Sequence, residues 1–285
     1  MEPSALFRRD RATILGVLNV TPDSFSDGGR LWRGARADVA AAVDAAAALL
    51  RDGAHALDVG GESTRPGARE VAAGEEASRV APVIEALAKR FDAPISVDTR
   101  KHEVAQAALD AGACWVNDVS GLRHDPALAD VVARARVGLI LGHLRGAPET
   151  MQHDIHFDDV LREVGDELEA SARAAEAAGV ARARLAVDPG LGFGKRGEHN
   201  LVLLARAGEL RARTGLPLLV GPSRKRFLGE LVGGEPHHRD AASAAACAVA
   251  VFAGADAVRV HDVAGAAQAV AVAFALREAR GEGRA

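Results

Sequence analysis

The chain contains no tyrosine, and its 285 residues include only eight phenylalanines and two tryptophans. With so few aromatic rings, the core has to be built from alanine, valine and leucine. The two cysteines, Cys114 and Cys247, are too few for a disulfide framework and lack the spacing of metal ligands. We therefore expect a cytoplasmic protein in which each cysteine is a small core residue.

The sequence also lacks a long apolar run and an excess of positive charge. Its longest uncharged apolar stretch, Ala241 to Ala255, is shorter than the roughly 20 residues that cross a bilayer, so we interpret it as a buried helix. The first eleven residues carry five charged side chains and no apolar segment typical of a secretory signal. With a net charge of −4, neither nucleic acid nor a membrane is expected as a partner.

The length and composition are those of one globular domain. Hydrophobic residues make up 48% of the chain and charged residues 26%, and an α/β barrel takes about 250 residues. No change of composition marks a domain boundary. Residues 1–285 are therefore predicted to form one domain, with residues 1–12 and 281–285 as flexible termini.

Eight short apolar segments alternate with helical patterns along the chain, and Gly53 and Gly179 fall where helices are expected to end. Parallel strands buried on both faces read as continuous apolar runs and need helical connections. Eight such units favour an α/β protein with a (β/α)8 (TIM) barrel, and an open doubly wound sheet is the alternative. The predicted strands are Ile14–Val20, Ala56–Val59, Ile95–Asp98, Trp115–Asp118, Gly138–Leu141, Leu185–Asp188, Leu218–Val220 and Ala257–Val260.

Polar side chains follow these strands, where barrel enzymes place their chemistry. Acids and amides dominate after the first six strands and cations after the last two. Carboxylates and amides suit a ring edge with several N–H donors, and cations suit a phosphate ester, although a helix N-cap also explains any single aspartate. We thus expect a nitrogen heterocycle that carries a phosphate ester. The rim residues are Asn19, Asp58, Asp98, Asn117, Asp118, His143, Asp188, Ser223, Arg224, Lys225, Arg259 and His261.

A glycine-rich segment, Gly190 to Gly197, contains the spacing G-x-G-x-x-G of dinucleotide-binding loops. That motif belongs in the first strand–helix unit, with an acid at the end of the next strand. Here it follows the sixth predicted strand. We interpret its glycines as turn residues beside Phe193.

Seven longer motifs occur in a fixed order between about residues 13 and 265. They are Gly16–Gly29, Asp58–Gly67, Ile95–Thr99, Asn117–Asp118, Asp188–Lys195, Ser223–Lys225 and Arg259–Asp262. Together they resemble the motifs of the dihydropteroate synthase family of pterin-binding barrels. One departure lies beside His143, where Gly142 and Leu144 stand in place of the family's usual methionines.

The resemblance implies a transferase of folate synthesis. It would condense 6-hydroxymethyl-7,8-dihydropterin diphosphate with p-aminobenzoate to dihydropteroate and diphosphate, with Mg²⁺, by a dissociative (SN1-like) loss of diphosphate. It also implies a homodimer and a sulfonamide target; Val270, Val272 and Phe274 suit either a dimer surface or the core. Two alternatives are a pterin-binding methyltransferase domain that serves a corrinoid, and a non-enzymatic pterin-binding relative.

The resemblance also implies a role for each motif residue. Asn19 would be the metal ligand. The implied catalytic residues are Asn19, Arg65, Asp98, Lys225, Arg259 and His261. The implied pterin-binding residues are Asp98, Asn117, Asp188, Lys225 and Arg259. The implied diphosphate-binding residues are Asn19, Thr64, Arg259 and His261. The implied p-aminobenzoate-binding residues are Thr64, Arg65, Pro66, Phe193 and Ser223.

Overall fold

The structure, a computed structural model, describes residues 6–21, 31–33, 36–64, 67–68, 70–147 and 149–281. The roles expected of Arg65 and Pro66, the motif residues 22–29, and the terminal residues 1–5 and 282–285 lie outside this part of the chain.

Eight parallel strands follow one another around a ring, in the order β8-β7-β6-β5-β4-β1-β10-β9. A parallel bridge between Val187 and Leu218 joins the two ends of this order. The ring confirms the (β/α)8 barrel and excludes the open sheet. The barrel strands are β1 (Thr13–Asn19), β4 (Ala56–Gly60), β5 (Ile95–Asp98), β6 (Trp115–Asp118), β7 (Gly138–Gly142), β8 (Leu185–Asp188), β9 (Leu219–Val220) and β10 (Ala257–Val260).

All eight predicted strands are thereby confirmed, with each bound within one residue of the prediction. A short antiparallel hairpin, β2 (Trp32–Arg33) and β3 (Arg36–Ala37), lies outside the ring and was not predicted. Two residues per strand are too few for a periodic pattern to be visible in the sequence.

Helices connect the strands on the outside of the ring. Gly53 and Gly179 follow the ends of α1 and α5 with φ of +109° and +97°, a conformation that favours glycine, as predicted. The helices are α1 (Val39–Arg51), α2 (Ala73–Arg90), α3 (His102–Asp110), α4 (Ala127–Ala135), α5 (Val160–Ala177), α6 (Gly197–Ala205), α7 (Ala207–Thr214), α8 (Arg226–Val232), α9 (Asp240–Phe252) and α10 (Val263–Ala279).

The interior of the barrel is filled by a small cluster that contains one large ring, that of Trp115. Gly138 on the neighbouring strand makes room for it, because a Cβ there would lie 2.3 Å from the indole. Most other core residues are alanine, valine and leucine, as expected from the composition. Cys247 is buried and Cys114 half-buried, and both are free thiols.

The interpretation of residues 241–255 as a buried helix is wrong in one respect. These residues form most of α9, but one side of it faces solvent, and Val249 is 52% exposed. Within residues 241–255 the only polar side chain is that of Ser243, which is buried, so no polar residue marks the outer face and the sequence carries little periodic signal. In the described part of the chain, no helix has both the length and the apolar character required to span a bilayer.

Candidate active site

The register of the barrel brings rim residues that are distant in sequence into one layer. Asn19 pairs with Gly60, Gly60 with Asp98, and Asp98 with Asn117. Gly60 has no side chain, and a Cβ there would lie 3.6 Å from that of Asp98 and 3.7 Å from Oδ1 of Asn19. Asn19 and Asp98 therefore flank the same position at the end of β4.

Arg259 is the central cation of the rim. Its Nε donates to Oδ2 of Asp58 at 2.5 Å, and its second terminal nitrogen donates to Oδ2 of Asp98 at 2.6 Å. Asp58 is fully buried within β4, so it needs a partner of opposite charge. The acidic and cationic sides of the rim therefore meet at Arg259.

Burial controls the protonation of the rim acids. It raises the pKa of Asp98 to about 7, although Arg259 acts in the opposite direction. Burial also raises the pKa of Asp188, against the lowering by the Gly190 N–H, which donates to Oδ1 at 2.7 Å. Burial thus disfavours the charged form of both carboxyl groups.

Three buried side-chain oxygens on the barrel strands lack a hydrogen-bond partner among the described residues: Oδ1 of Asp58, Oγ of Ser96 and Oδ1 of Asn117. Asn117 is only 2% exposed. Because an unpaired buried acceptor is unfavourable, such atoms commonly mark a position that a ligand completes. Asn117 lies in register with Asp98 at the rim, so a ligand with an N–H donor bound there would satisfy its oxygen.

The other predicted rim residues come together on the far side of the opening. Nδ1 of His261 lies 3.0 Å from the Ser223 hydroxyl, and its Nε2 lies 3.5 Å from Nδ2 of Asn19. Nζ of Lys225 lies 4.0 Å from the centre of the Phe193 ring, within range of a cation–π interaction.

These groups share a cavity of about 860 Å³, a size typical of small-molecule sites. Eight predicted site residues line it: Asn19, Thr64, Asp98, Phe193, Ser223, Lys225, Arg259 and His261. The other two in the described part of the chain, Asn117 and Asp188, are not in its lining and lie at the ends of β6 and β8.

Two further rim residues have structural surroundings. The Asp118 carboxylate accepts from the N–H groups of Ser120 and Leu122, so it stabilises a turn. It does not cap a helix, because α4 begins at Ala127. His143 is 2% exposed and does not line the cavity. Beside it, a Cβ on Gly142 would lie 2.5 Å from Cα of Val119, so backbone fills the space that a methionine would need.

A buried ion-pair network that the sequence analysis missed lies behind the loop after β4. Glu62 pairs with Arg100 at 2.6 Å and with Lys101, and Lys101 also pairs with Glu76 at 2.7 Å. Glu62 directly precedes Ser63 and Thr64, so the network anchors the start of this loop. The consecutive charges Arg100 and Lys101 beside a strand end were the available signal, since charges close to a core are paired.

Fold and rim together define a barrel enzyme whose cavity offers buried acceptors on one side and cations on the other. The family model described as "Pterin binding enzyme" matches residues 15–261. The dihydropteroate synthase of Synechocystis sp. is 44% identical over 267 residues, which are 93% of this chain and 90% of that protein.

Two solved structures share the fold of this chain over almost its whole length. Dihydropteroate synthase of Yersinia pestis, in complex with a sulfonamide drug, superposes with a TM-score of 0.90 at 41% identity over 95% of this chain and 96% of that one. The Xanthomonas albilineans enzyme with 4-aminobenzoic acid gives a TM-score of 0.85 at 47% identity over 94% of both chains. The chain therefore belongs to the dihydropteroate synthase family, a family of transferases in folate synthesis.

Proposed function

We propose that this chain condenses 6-hydroxymethyl-7,8-dihydropterin diphosphate with p-aminobenzoate, with the help of Mg²⁺, and that diphosphate leaves before the arylamine attacks. The observation that carries the proposal is the single cavity that Asp98, Lys225, Arg259 and His261 line together. A pterin edge offers N–H donors to acids and amides, and a diphosphate requires cations.

The pterin would be held by Asp98, Asn117, Asp188 and Lys225, with Arg259 beside them. The Asp188 carboxylate is suited to accept two parallel N–H bonds, from the pterin amino group and a ring nitrogen. The unpartnered Oδ1 of Asn117 would accept another N–H group.

Cleavage of the bond between the methylene carbon and oxygen leaves its electron pair on diphosphate and a cation that the dihydropterin delocalises. The amine of p-aminobenzoate is neutral at pH 7, attacks the methylene carbon and then loses a proton to water. Catalysis then depends on stabilising the departing diphosphate, for which we propose Arg259, His261, Asn19 and Thr64. Loss of one such donor reduces the rate by about 10²- to 10³-fold.

The donor atoms present fit Mg²⁺ bound mainly through its substrate. Mg²⁺ takes oxygen ligands, retains waters and is commonly bound through one or two protein oxygens and substrate phosphates. Asn19 offers one amide oxygen at the rim, and we propose it as the protein ligand. Within the described residues, the one cluster of histidine and acids close enough to hold a metal is His102, Glu103 and Asp125, which does not line this cavity. Bound Mg²⁺ would neutralise the charge that develops on diphosphate.

The p-aminobenzoate would lie against Phe193 and between Thr64 and Ser223, with Arg65 and Pro66 completing the subsite. The 4-aminobenzoic acid present in the Xanthomonas albilineans structure supports this substrate. The sulfonamide drug in the Yersinia pestis complex supports a further proposal, that sulfonamides compete for the same subsite.

We also propose a homodimer in the cytoplasm. Val272 and Leu276 lie one turn apart on α10, and they and Val249 on α9 are each more than half exposed, so a second copy of the chain would have apolar surface to cover. Val270 is buried and belongs to the core. Light scattering should give twice the mass of the chain for wild type and a lower mass for Val272→Glu, whereas a monomeric wild type would contradict the proposal.

The decisive experiment follows diphosphate release by the purified protein with dihydropterin diphosphate and Mg²⁺, with and without p-aminobenzoate. We expect release that depends on p-aminobenzoate, stops when EDTA removes the metal, and is matched by dihydropteroate. Pterin binding without release would contradict the proposal and favour a binding protein or a corrinoid-serving methyltransferase domain.

A further inference from the structure

Lys195 is a buried cation to which the proposed reaction gives no role. It ends the motif Asp188–Lys195 and is 3% exposed. Burial lowers its pKa to about 7, so a charge at this position is unfavourable for folding. A methionine would fill similar space without that penalty, which suggests that the amine is retained for the site.

The Lys195 amine joins two strand ends through four acceptors. From its own loop, between β8 and α6, the carbonyls of Gly190 and Phe193 accept at 3.1 and 3.0 Å. From the end of β7, Nδ1 and the carbonyl of His143 lie at 2.9 and 3.3 Å. One side chain thus ties the glycine-rich loop both to itself and to the neighbouring strand.

His143 is fixed in one tautomer by this arrangement. Its Nε2 lies 3.1 Å from Glu167, which also pairs with Arg145 and, at 2.5 Å, with Arg123. Although burial opposes the charge, these donors lower the pKa of Glu167, so it accepts and Nε2 carries the proton. Burial and the neighbouring Lys195 lower the pKa of His143 to about 3, which leaves Nδ1 free of a proton and able to accept from the lysine.

The glycine-rich loop packs directly against the end of β7. Gly190 has a φ of +64°, and a Cβ there would lie 1.9 Å from the carbonyl oxygen of His143. The backbone N–H of His143 donates to the Asp188 carbonyl at 3.0 Å. The loop is therefore pressed against the end of β7, and the Lys195 amine holds the part that carries Phe193.

We propose that Lys195 is a positioning residue for the arylamine, which acts by fixing the Phe193 backbone so that the ring keeps its place beneath Lys225. This inference rests on the proposed function, because Phe193 is taken there to contact p-aminobenzoate. Asp98 and Asn117 lie on β5 and β6, away from this loop. Asp188 is linked to Lys195 through Gly190, whose N–H donates to the Asp188 carboxylate and whose carbonyl accepts from the amine, whereas the Phe193 carbonyl accepts from the amine directly. Loss of the amine should therefore affect the arylamine more than the pterin.

The test compares Lys195→Met with wild type and with Lys89→Met, a control at an exposed lysine. We expect the KM for p-aminobenzoate to rise about 10- to 100-fold in Lys195→Met, a range typical of misplaced binding groups. The Kd for dihydropterin diphosphate should change by less than about threefold. A KM within about twofold of wild type would overturn the proposal. If Lys195→Met does not fold, Lys195→Gln, which keeps an N–H donor on a shorter chain, is judged by the same two measurements.

A double-mutant cycle separates positioning from packing. If Lys195 acts through Phe193, its substitution should have little further effect on KM in a Phe193→Leu background. Independent, multiplicative effects of the two substitutions would overturn the proposal.

The contact itself is tested without turnover. In ¹⁵N spectra, the Nδ1 resonance of His143 should shift between wild type and Lys195→Met and not in Lys89→Met, and an unchanged resonance would overturn the proposal. Wild-type turnover in the same kinetic series tests the proposed function separately. An inactive wild type whose His143 resonance responds to Lys195 would refute the proposed reaction while retaining the contact.

Discussion

Asp58 and Arg259 determine the polarity of the cavity floor. The Asp58 carboxylate is fully buried, and Arg259 contacts both it and the Asp98 carboxyl group, so one guanidinium holds two acids together. Removing one member of a buried pair leaves an uncompensated charge, which costs about 3–5 kcal/mol. This triad places a rigid cation next to the position proposed for the pterin.

Asp188→Asn should weaken binding of the dihydropterin diphosphate about 100-fold, because an amide opposes one of the two N–H donors that the carboxylate accepts. Calorimetry on the folded variant measures this. Asp92→Asn, at an exposed aspartate, is the matched control. Equal affinities for wild type and Asp188→Asn would remove Asp188 from the pterin site.

Lys225→Ala should weaken the pterin diphosphate by about tenfold or more and p-aminobenzoate by less, since charged hydrogen bonds contribute more than a contact with an aromatic face. Lys225 stands 4.0 Å from the Phe193 ring, so some loss for p-aminobenzoate is expected as well. Separate titrations of the two substrates, with Lys89→Ala as control, measure the order. The reverse order would assign Lys225 to the arylamine.

The strands were predictable because each is a short, mostly apolar run, and four of them, β1, β5, β6 and β8, end in asparagine or aspartate. The rim could be predicted as a set, since the carboxyl ends of barrel strands share one face. The contacts between particular side chains could not be predicted. The bond from Arg259 to Asp58 spans 201 positions, and the contact of Lys195 with His143 spans 52, so both depend on barrel closure rather than on local pattern.

Some glycines in the strands lie where a neighbouring element approaches too closely for a side chain. These contacts cannot be recognised from the sequence. Gly142 is the clearest case, because Val119 backbone occupies the space that a side chain would need. The chain after β6 thus occupies the space beside Gly142 that a larger side chain would need.

Gly142→Ala should destabilise the protein by about 1–3 kcal/mol, as expected for overpacking. Gly74→Ala is a control of opposite sign. It lies in the first turn of α2, and no atom of the described residues outside the adjacent helix backbone comes within 4 Å of the added methyl group, so it should stabilise by about 0.5 kcal/mol or less. Urea unfolding measures both, and a Gly142→Ala protein as stable as wild type would show that Val119 moves aside freely.

The stability of the whole protein should depend on the protonation of Asp98. Its pKa is raised by burial to about 7 from an ordinary 3.8, so between these values the folded protein holds a proton that the unfolded chain has lost. The stabilisation is complete below pH 4 and is lost as the pH rises through 7, with a slope that approaches about 1.4 kcal/mol per pH unit.

Urea titrations of the ligand-free protein from pH 5 to 8 measure this slope. Burial lowers the pKa of His143 to about 3, so this residue makes the stability rise with pH below 6.5, opposite to the effect of Asp98. The difference in stability between wild type and Asp98→Asn therefore isolates the contribution of Asp98. Wild type should lose more stability than the variant as the pH rises. Parallel curves would mean that Asp98 is ionised throughout.

Among the described residues, the ring of strands closes between β8 and β9 through a single bridge, and we call this junction the seam. β4 shares five register pairs with β1, whereas β9 shares two with β10 and reaches β8 through the bridge at Leu218. Local opening at the seam would expose the Val187 amide, which donates to the Pro217 carbonyl, so it should exchange with deuterium faster than the Leu57 amide inside the β4–β5 ladder. The proposed pterin and arylamine contacts lie on both sides of this seam. Bound substrates should therefore hold β8 and β9 together and slow hydrogen–deuterium exchange of the Val187 amide.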